Sequence, residues 1–282
     1  MISKPARQGR FATSRFKLIE TPVHAQNASK PYDQYVEAAS VMALAHNVMI
    51  RGLNSIYLQA PHMEPIDHSS FISYCKCWVE NLDEYHEMEE GVLFPEIEAK
   101  TGETGIMDGN IEQHHAFMPG LEAFKAYLST SSLHPSTFSG THLNNLIDTF
   151  ARSLIVHLAD EIPSLLELSK FGQSLPLLRL INAEGAKSPL KLSRLGGVPF
   201  FAQNLDTEFE EGIWSAWPMP VVVRWLIPRT VGRWNREWWR WASCDESGRL
   251  RELLGRKALS SVFVGIARSW FRGLYNLGTA KQ

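Results

Sequence analysis

Residues 82–98 read Leu-Asp-Glu-Tyr-His-Glu-Met-Glu-Glu-Gly-Val-Leu-Phe-Pro-Glu-Ile-Glu. Upstream, Phe71, Cys75, Trp78 and Leu82 recur at steps of three and four, which places them on one face of a helix. The same stripe continues through His86 and Glu90 to Leu93 and Ile97. A histidine and a carboxylate thus stand where the pattern asks for apolar residues. Burying an ionised carboxylate without a partner costs several kcal/mol, so a cation should face Glu90.

Three further segments have the same character. Residues 31–59 carry a stripe of Tyr35, Ala38, Met42, His46, Met49, Leu53 and Ile56. Residues 110–130 carry Ile111, His114, Met118, Leu121 and Phe124, with His115 about 100° off the stripe. Residues 137–170 carry Leu143, Ile147, Phe150, Leu154, His157, Glu161, Leu165 and Leu168. The helix holding the opening stretch runs over 68–100, and Pro95 predicts a kink or break just after the motif. Pro119 and Gly120 weaken the third helix in isolation, so tertiary packing must hold it. Four long amphipathic helices with short connections predict an all-α, up-down-up-down four-helix bundle over residues 31–171.

The flanking regions differ. Residues 1–30 hold Lys4, Arg7, Arg10, Arg15 and Lys17 near the start and read as a disordered basic tail. Residues 172–282 form a Trp-rich, partly helical extension packed on the bundle. Within it, 172–200 read as a connection with little regular structure, and 256–276 as one more amphipathic helix. Trp214, Trp217, Trp225, Trp234, Trp238, Trp239 and Trp241 crowd into the middle of the extension. Such aromatics most often cement a tail onto a bundle; a pocket wall or a partner surface is the alternative. Arginines between them, such as Arg236 and Arg240, fit cation–π stacking.

Among 282 residues, 44% are apolar and 21% charged, and the net charge is −2. That balance gives no reason to expect nucleic acid as a partner, and no apolar run reaches membrane-spanning length. Three cysteines make no disulfide framework and fit a reducing compartment. The cytoplasm is therefore the expected location, although the basic start also admits a mitochondrial presequence.

A single histidine on an apolar stripe is usually a satisfied core residue. Here four successive helices each place one there: His46, His86, His114 and His157. His86 and His157 each have a glutamate four residues on, Glu90 and Glu161, sharing their face. Imidazoles and carboxylates converging inside a four-helix bundle make a two-metal centre, and mixed nitrogen and oxygen donors suit iron or manganese.

On these residues, 32–170 resemble the hemerythrin-like (HHE) domain. The matching segments are Ala45-His46-Asn47, His86-Glu87-Met88-Glu89-Glu90 followed by Leu93-Phe94-Pro95, Glu112-Gln113-His114, and His157-Leu158-Ala159-Asp160-Glu161. The later stretch Ala242-Ser243-Cys244-Asp245 is similar to that of fungal members. The resemblance implies two non-haem iron ions, oxo- or hydroxo-bridged, with His46, His86, His114 and His157 as nitrogen ligands and Glu90 and Glu161 as bridges. It also implies O2 as a partner. Oxygen-carrying members have a further histidine where this chain has Met118, a poor donor to a hard ferric ion. Glu87, beside His86, is the expected substitute. Three roles stay open: an O2- or iron-binding or sensing protein, an oxidase or oxygenase acting on a small organic molecule, and a structural metal site with the aromatic extension as an interaction surface.

Overall fold

The computed structural model describes residues 11–12, 15–27, 29–215, 229–230 and 233–253. After a short helix α1, Pro22–Ala25, comes α2, Gln34–Gln59. The carboxylate of Asp33 caps α2, accepting the Tyr35 N–H at 2.8 Å. Next is α3, His68–Met88, which runs through a π-helical turn, Glu89–Leu93, into α4, Phe94–Thr101. Gly102, in the left-handed region at φ 73°, closes α4 by donating to the Glu98 carbonyl. The bundle is completed by α5, Asp108–Leu133, and α6, Gly140–Glu167. Among the described residues there is no strand beyond an isolated bridge between Cys244 and Leu250, and no helix is long and apolar enough to cross a membrane. The bundle is all-α, as the periodicity predicts.

The π turn differs from the expected kink and has a readable cause. Pro95 has no N–H to give to the carbonyl four residues back, and the Phe94 N–H bonds to Glu89 O, five residues back. Counting forward from Leu82 and Tyr85, a helical step of four or seven lands on Glu89. Counting back from Phe94 and Ile97, it lands on Glu90. The two half-stripes disagree by one residue, and the π turn absorbs the surplus.

Pro119 lies inside α5 without ending it. Tertiary packing holds this stretch: a Cβ on Gly120 would lie 2.6 Å from Thr149 Oγ1 and 2.8 Å from Phe150 Cβ of α6. Two apolar clusters fill the bundle. One gathers Trp78, Phe124, Phe150 and Leu154; the other gathers Tyr35, Met42, Phe94, Ile97 and Leu165. On every bundle helix the predicted histidine falls between them.

The N-terminal expectation needs correction. Residues 15–27 are not a free tail but lie along α2. Asn54 accepts the Phe16 N–H at 2.7 Å and donates to its carbonyl at 2.9 Å; Asn47 does the same for Ile19, at 2.8 Å in both directions. Seven residues of helix rise about 10.5 Å. Three residues of extended chain span about 10 Å, so the two clamps match the segment's own spacing.

Residues 172–200 also differ from expectation. They hold α7, Leu177–Lys191, and the start of α8, Gly197–Asn204. The ring of Phe200 packs over Gly52 of α2, where a Cβ would come within 2.5 Å of it. Tyr74 of α3 donates to Asn204 Oδ1 at 2.9 Å, which also accepts the Ser243 N–H. Trp241 is fully buried, edge-on to Phe71 at 5.5 Å, with Nε1 donating to Ser70 Oγ. Arg240 stacks on the Trp241 ring at 4.6 Å. The described part of the extension is thus cemented to α2 and α3, although Trp234 remains 80% exposed. Trp217, Trp225 and the helix predicted over 256–276 lie outside the described residues.

Candidate metal centre

In the layer between the two apolar clusters, His46 of α2, His86 of α3, His114 of α5, and His157 and Glu161 of α6 come together, all buried. The carboxylate that joins them is Glu89, at 0% exposure. One donor group is His86, Glu89, His114 and His157; the other is His46, Glu89 and Glu161; within each, the donor atoms all lie within 4.8 Å of one another. Glu89 belongs to both and is the geometric bridge.

Two predicted residues are not brought into these groups. Glu87 is exposed, because it follows His86 by 100° away from the core. Glu90 has its side chain 40% exposed and touches His114 from outside, since the π turn gives the inward position to Glu89. Phe117, which precedes Met118, has its ring 5.1 Å from that of His86 and 5.8 Å from that of His157. The stripe expects a step of four from His86 to Glu90, where the fold takes the step of three to Glu89. The signal for Glu89 was the half-stripe Leu82–Tyr85–Glu89.

The outer nitrogens of three histidines are held in a common way. His46 Nδ1 lies 2.7 Å from the Leu158 carbonyl, and His114 Nδ1 lies 2.5 Å from Glu90 Oε1. His157 Nδ1 lies 3.3 Å from Gln113 Oε1, whose amide is oriented by donating to Asp160 at 3.1 Å. Each of these partners is an acceptor, so each Nδ1 carries the proton and each Nε2 presents a lone pair to the interior. Such outer acceptors are what orient metal-ligating histidines. His114 Nε2 and His157 Nε2 consequently face each other at 2.9 Å, two lone pairs that only a cation or a further proton reconciles.

Charge and burial make the same point. Burial pushes His86 well below its ordinary value, helped by the His114 and His157 rings, and brings His157 down to about 3. Both are therefore neutral donors. Burial, reinforced by the Glu161 carboxylate, drives Glu89 well above its ordinary value. For Glu161 burial works upward too, but the His46 ring 3.3 Å away and the other imidazoles outweigh it. Both oxygens of Glu89 and of Glu161, and Nε2 of His86, are buried without a hydrogen-bond partner. Buried unsatisfied groups are rare in folded proteins, and five converging on one space fit bound cations.

Residues 38–167 match the model of the hemerythrin HHE cation binding domain. The chain is also 32% identical over 243 residues to dimeric xanthone biosynthesis cluster protein R11 of Cryptosporiopsis sp. (strain 8999), covering 84% of this chain and 89% of that protein. The chain belongs to the hemerythrin HHE family. No solved structure matches it. The relative's coverage reaches well beyond the family domain into the extension.

Proposed function

We propose that the chain is a non-haem di-iron protein whose centre handles O2. The observation that carries this reading is the pair of donor groups sharing Glu89, every member buried, with uncompensated carboxylate oxygens and neutral imidazoles at His86 and His157. His86, His114 and His157 would hold one ion, His46 and Glu161 the other, with Glu89 between them. Mixed imidazole and carboxylate donors favour iron or manganese over a thiolate-selecting metal, and the three cysteines are buried away from this role. Bound iron would supply one-electron redox chemistry and an open position for O2. The protein's own part is to fix the rings through their Nδ1 bonds and to keep water out with Phe94 and Phe117. Free, buried cysteines agree with a cytoplasmic setting.

A second reading is favoured by the relative. That protein's name places it in a cluster for dimeric xanthone biosynthesis, so an oxidative step on a phenolic aromatic molecule is the natural form of an enzymatic role for this chain. Iron analysis with optical spectra before and after reduction tests the centre: about two irons per chain and near-ultraviolet charge-transfer absorption in air are expected, and zinc or no metal would refute it. O2 consumed only when an aromatic substrate is present would favour the oxidative role, and reversible O2 uptake would favour binding or sensing.

A further inference from the structure

The two ion positions are unequally furnished: His86, Glu89, His114 and His157 give four donors, while His46, Glu89 and Glu161 give three. Beside the poorer position stands Tyr85, buried in α3 and four residues before Glu89 on the same face. Its hydroxyl oxygen lies 2.6 Å from His46 Nε2. That nitrogen is the one left with a lone pair by the bond from Nδ1 to Leu158 O. The hydroxyl also contacts the Met42 sulfur, a weak acceptor, and the Glu89 carboxylate. A phenol kept only for packing would turn its hydroxyl to a carbonyl or to solvent. This one points at the lone pair that a cation must take, and once the cation takes it the hydroxyl has no comparable acceptor there except the cation's own ligands.

We propose that Tyr85 is the fourth protein ligand of the His46–Glu161 position, bound through its phenolate oxygen. The proposal rests on the two-ion reading above. Coordination forms a metal–oxygen bond and breaks the phenol O–H bond, the proton leaving to solvent, and no electron is transferred. The position then has three anionic oxygen donors, Tyr85, Glu89 and Glu161, and one imidazole. The other has three imidazoles and the shared carboxylate. Hard oxygen donors favour the ferric ion, so the two irons are chemically distinct and the Tyr85 side is the last to be reduced.

The test uses the full chain loaded with iron in air, read by iron content, visible absorption and resonance Raman scattering. The expected result is about two irons per chain, a visible phenolate-to-iron(III) charge-transfer band, and enhanced ring vibrations of a coordinated tyrosinate. Tyr85→Phe should lose the band and fall towards one iron per chain. Tyr85→His should hold about two irons without the band. Two irons in the unaltered chain with no tyrosinate signature would overturn the assignment while leaving the two-ion reading intact. A band surviving in Tyr85→Phe would also overturn it. A chain that binds no iron would overturn both.

Discussion

Glu90 Oε1 lies 2.5 Å from His114 Nδ1, on the solvent side of the buried histidine layer. The carboxylate that the apolar stripe would have buried is instead a clamp on a ligand from outside. Glu90→Ala should leave the bundle folded and weaken metal binding about 10- to 100-fold, the usual loss when an outer acceptor of a ligating histidine is removed. Glu90→Gln keeps an acceptor and should lose less. Chelator competition measures both, and equal, full-strength binding in the two variants would contradict the clamp.

Glu89 should behave oppositely. It is the shared donor, and both its oxygens are buried without hydrogen bonds. Replacing it with Met, of similar volume and no charge, should stabilise the metal-free protein by about 1–3 kcal/mol, the penalty of an unsatisfied buried group. The same change should abolish the gain in stability on adding iron. Urea unfolding with and without metal reads both effects. Glu87→Ala, on the exposed side, should change neither.

The neutral imidazoles predict a pH dependence. In the fold His86 lies well below the ordinary 6.5 and His157 at about 3, burial being the main cause. Unfolded, both take up protons near pH 6.5, so below about 6.5, and for His157 down to about 3, the unfolded chain binds protons that the native chain does not. Stability therefore falls with falling pH, by about 1.4 kcal/mol per unit for each imidazole. Glu89 has the opposite sign above its ordinary 4.5, since its raised value gives the native state a proton the unfolded chain lacks. It opposes the two imidazoles in part. The metal-free protein should thus lose stability as pH falls below about 6.5, less steeply than two imidazoles alone would make it, measured by denaturant unfolding at several pH values. A flat profile would contradict this balance.

The sequence shows which helices form and which histidines they turn inward, because four stripes of period 3.6 are strong local signals. Expected and observed helices differ by a few residues: 31–59 against Gln34–Gln59, and 137–170 against Gly140–Glu167. The choice between Glu89 and Glu90 was not legible from a single unbroken stripe, since a helix places residues three and four apart almost equally well on one face. Residues 172–200 carry helices without a strong local signal, for another reason. Helix α7 contains Gly185 and Pro189, and neither it nor α8 has the long repeat that marks the bundle helices. The path of residues 15–27 depends on side chains of α2 far along the chain, so no local pattern announces it.

Asn47 and Asn54 give that path a test. Each makes two hydrogen bonds to the backbone of the N-terminal segment. Asn54→Ala leaves the Phe16 amide and carbonyl without their partner and should cost about 1–3 kcal/mol. The double variant with Asn47→Ala should release the segment, seen as rapid proteolytic cleavage within residues 15–27 while the bundle stays intact. Unchanged protease resistance would show that the clamps do not hold it.

The π turn at Glu89–Leu93 has a consequence for reading relatives of this chain. It is one residue more than an α-helix needs between Tyr85 and Phe94, so the second bundle helix is two phased segments spliced end to end. Any alignment that slides this helix past another without a one-position gap pairs the wrong glutamate on one side of the splice. A natural deletion of Gly91 or Val92 would be nearly silent in composition and in helix content. It would also leave the Leu93–Ile97 surface in phase with Tyr85, His86 and Glu89, because the residue removed is the one that the π turn absorbs. Members of the lineage that lack this residue should therefore keep the same inward glutamate on an unbroken α-helix.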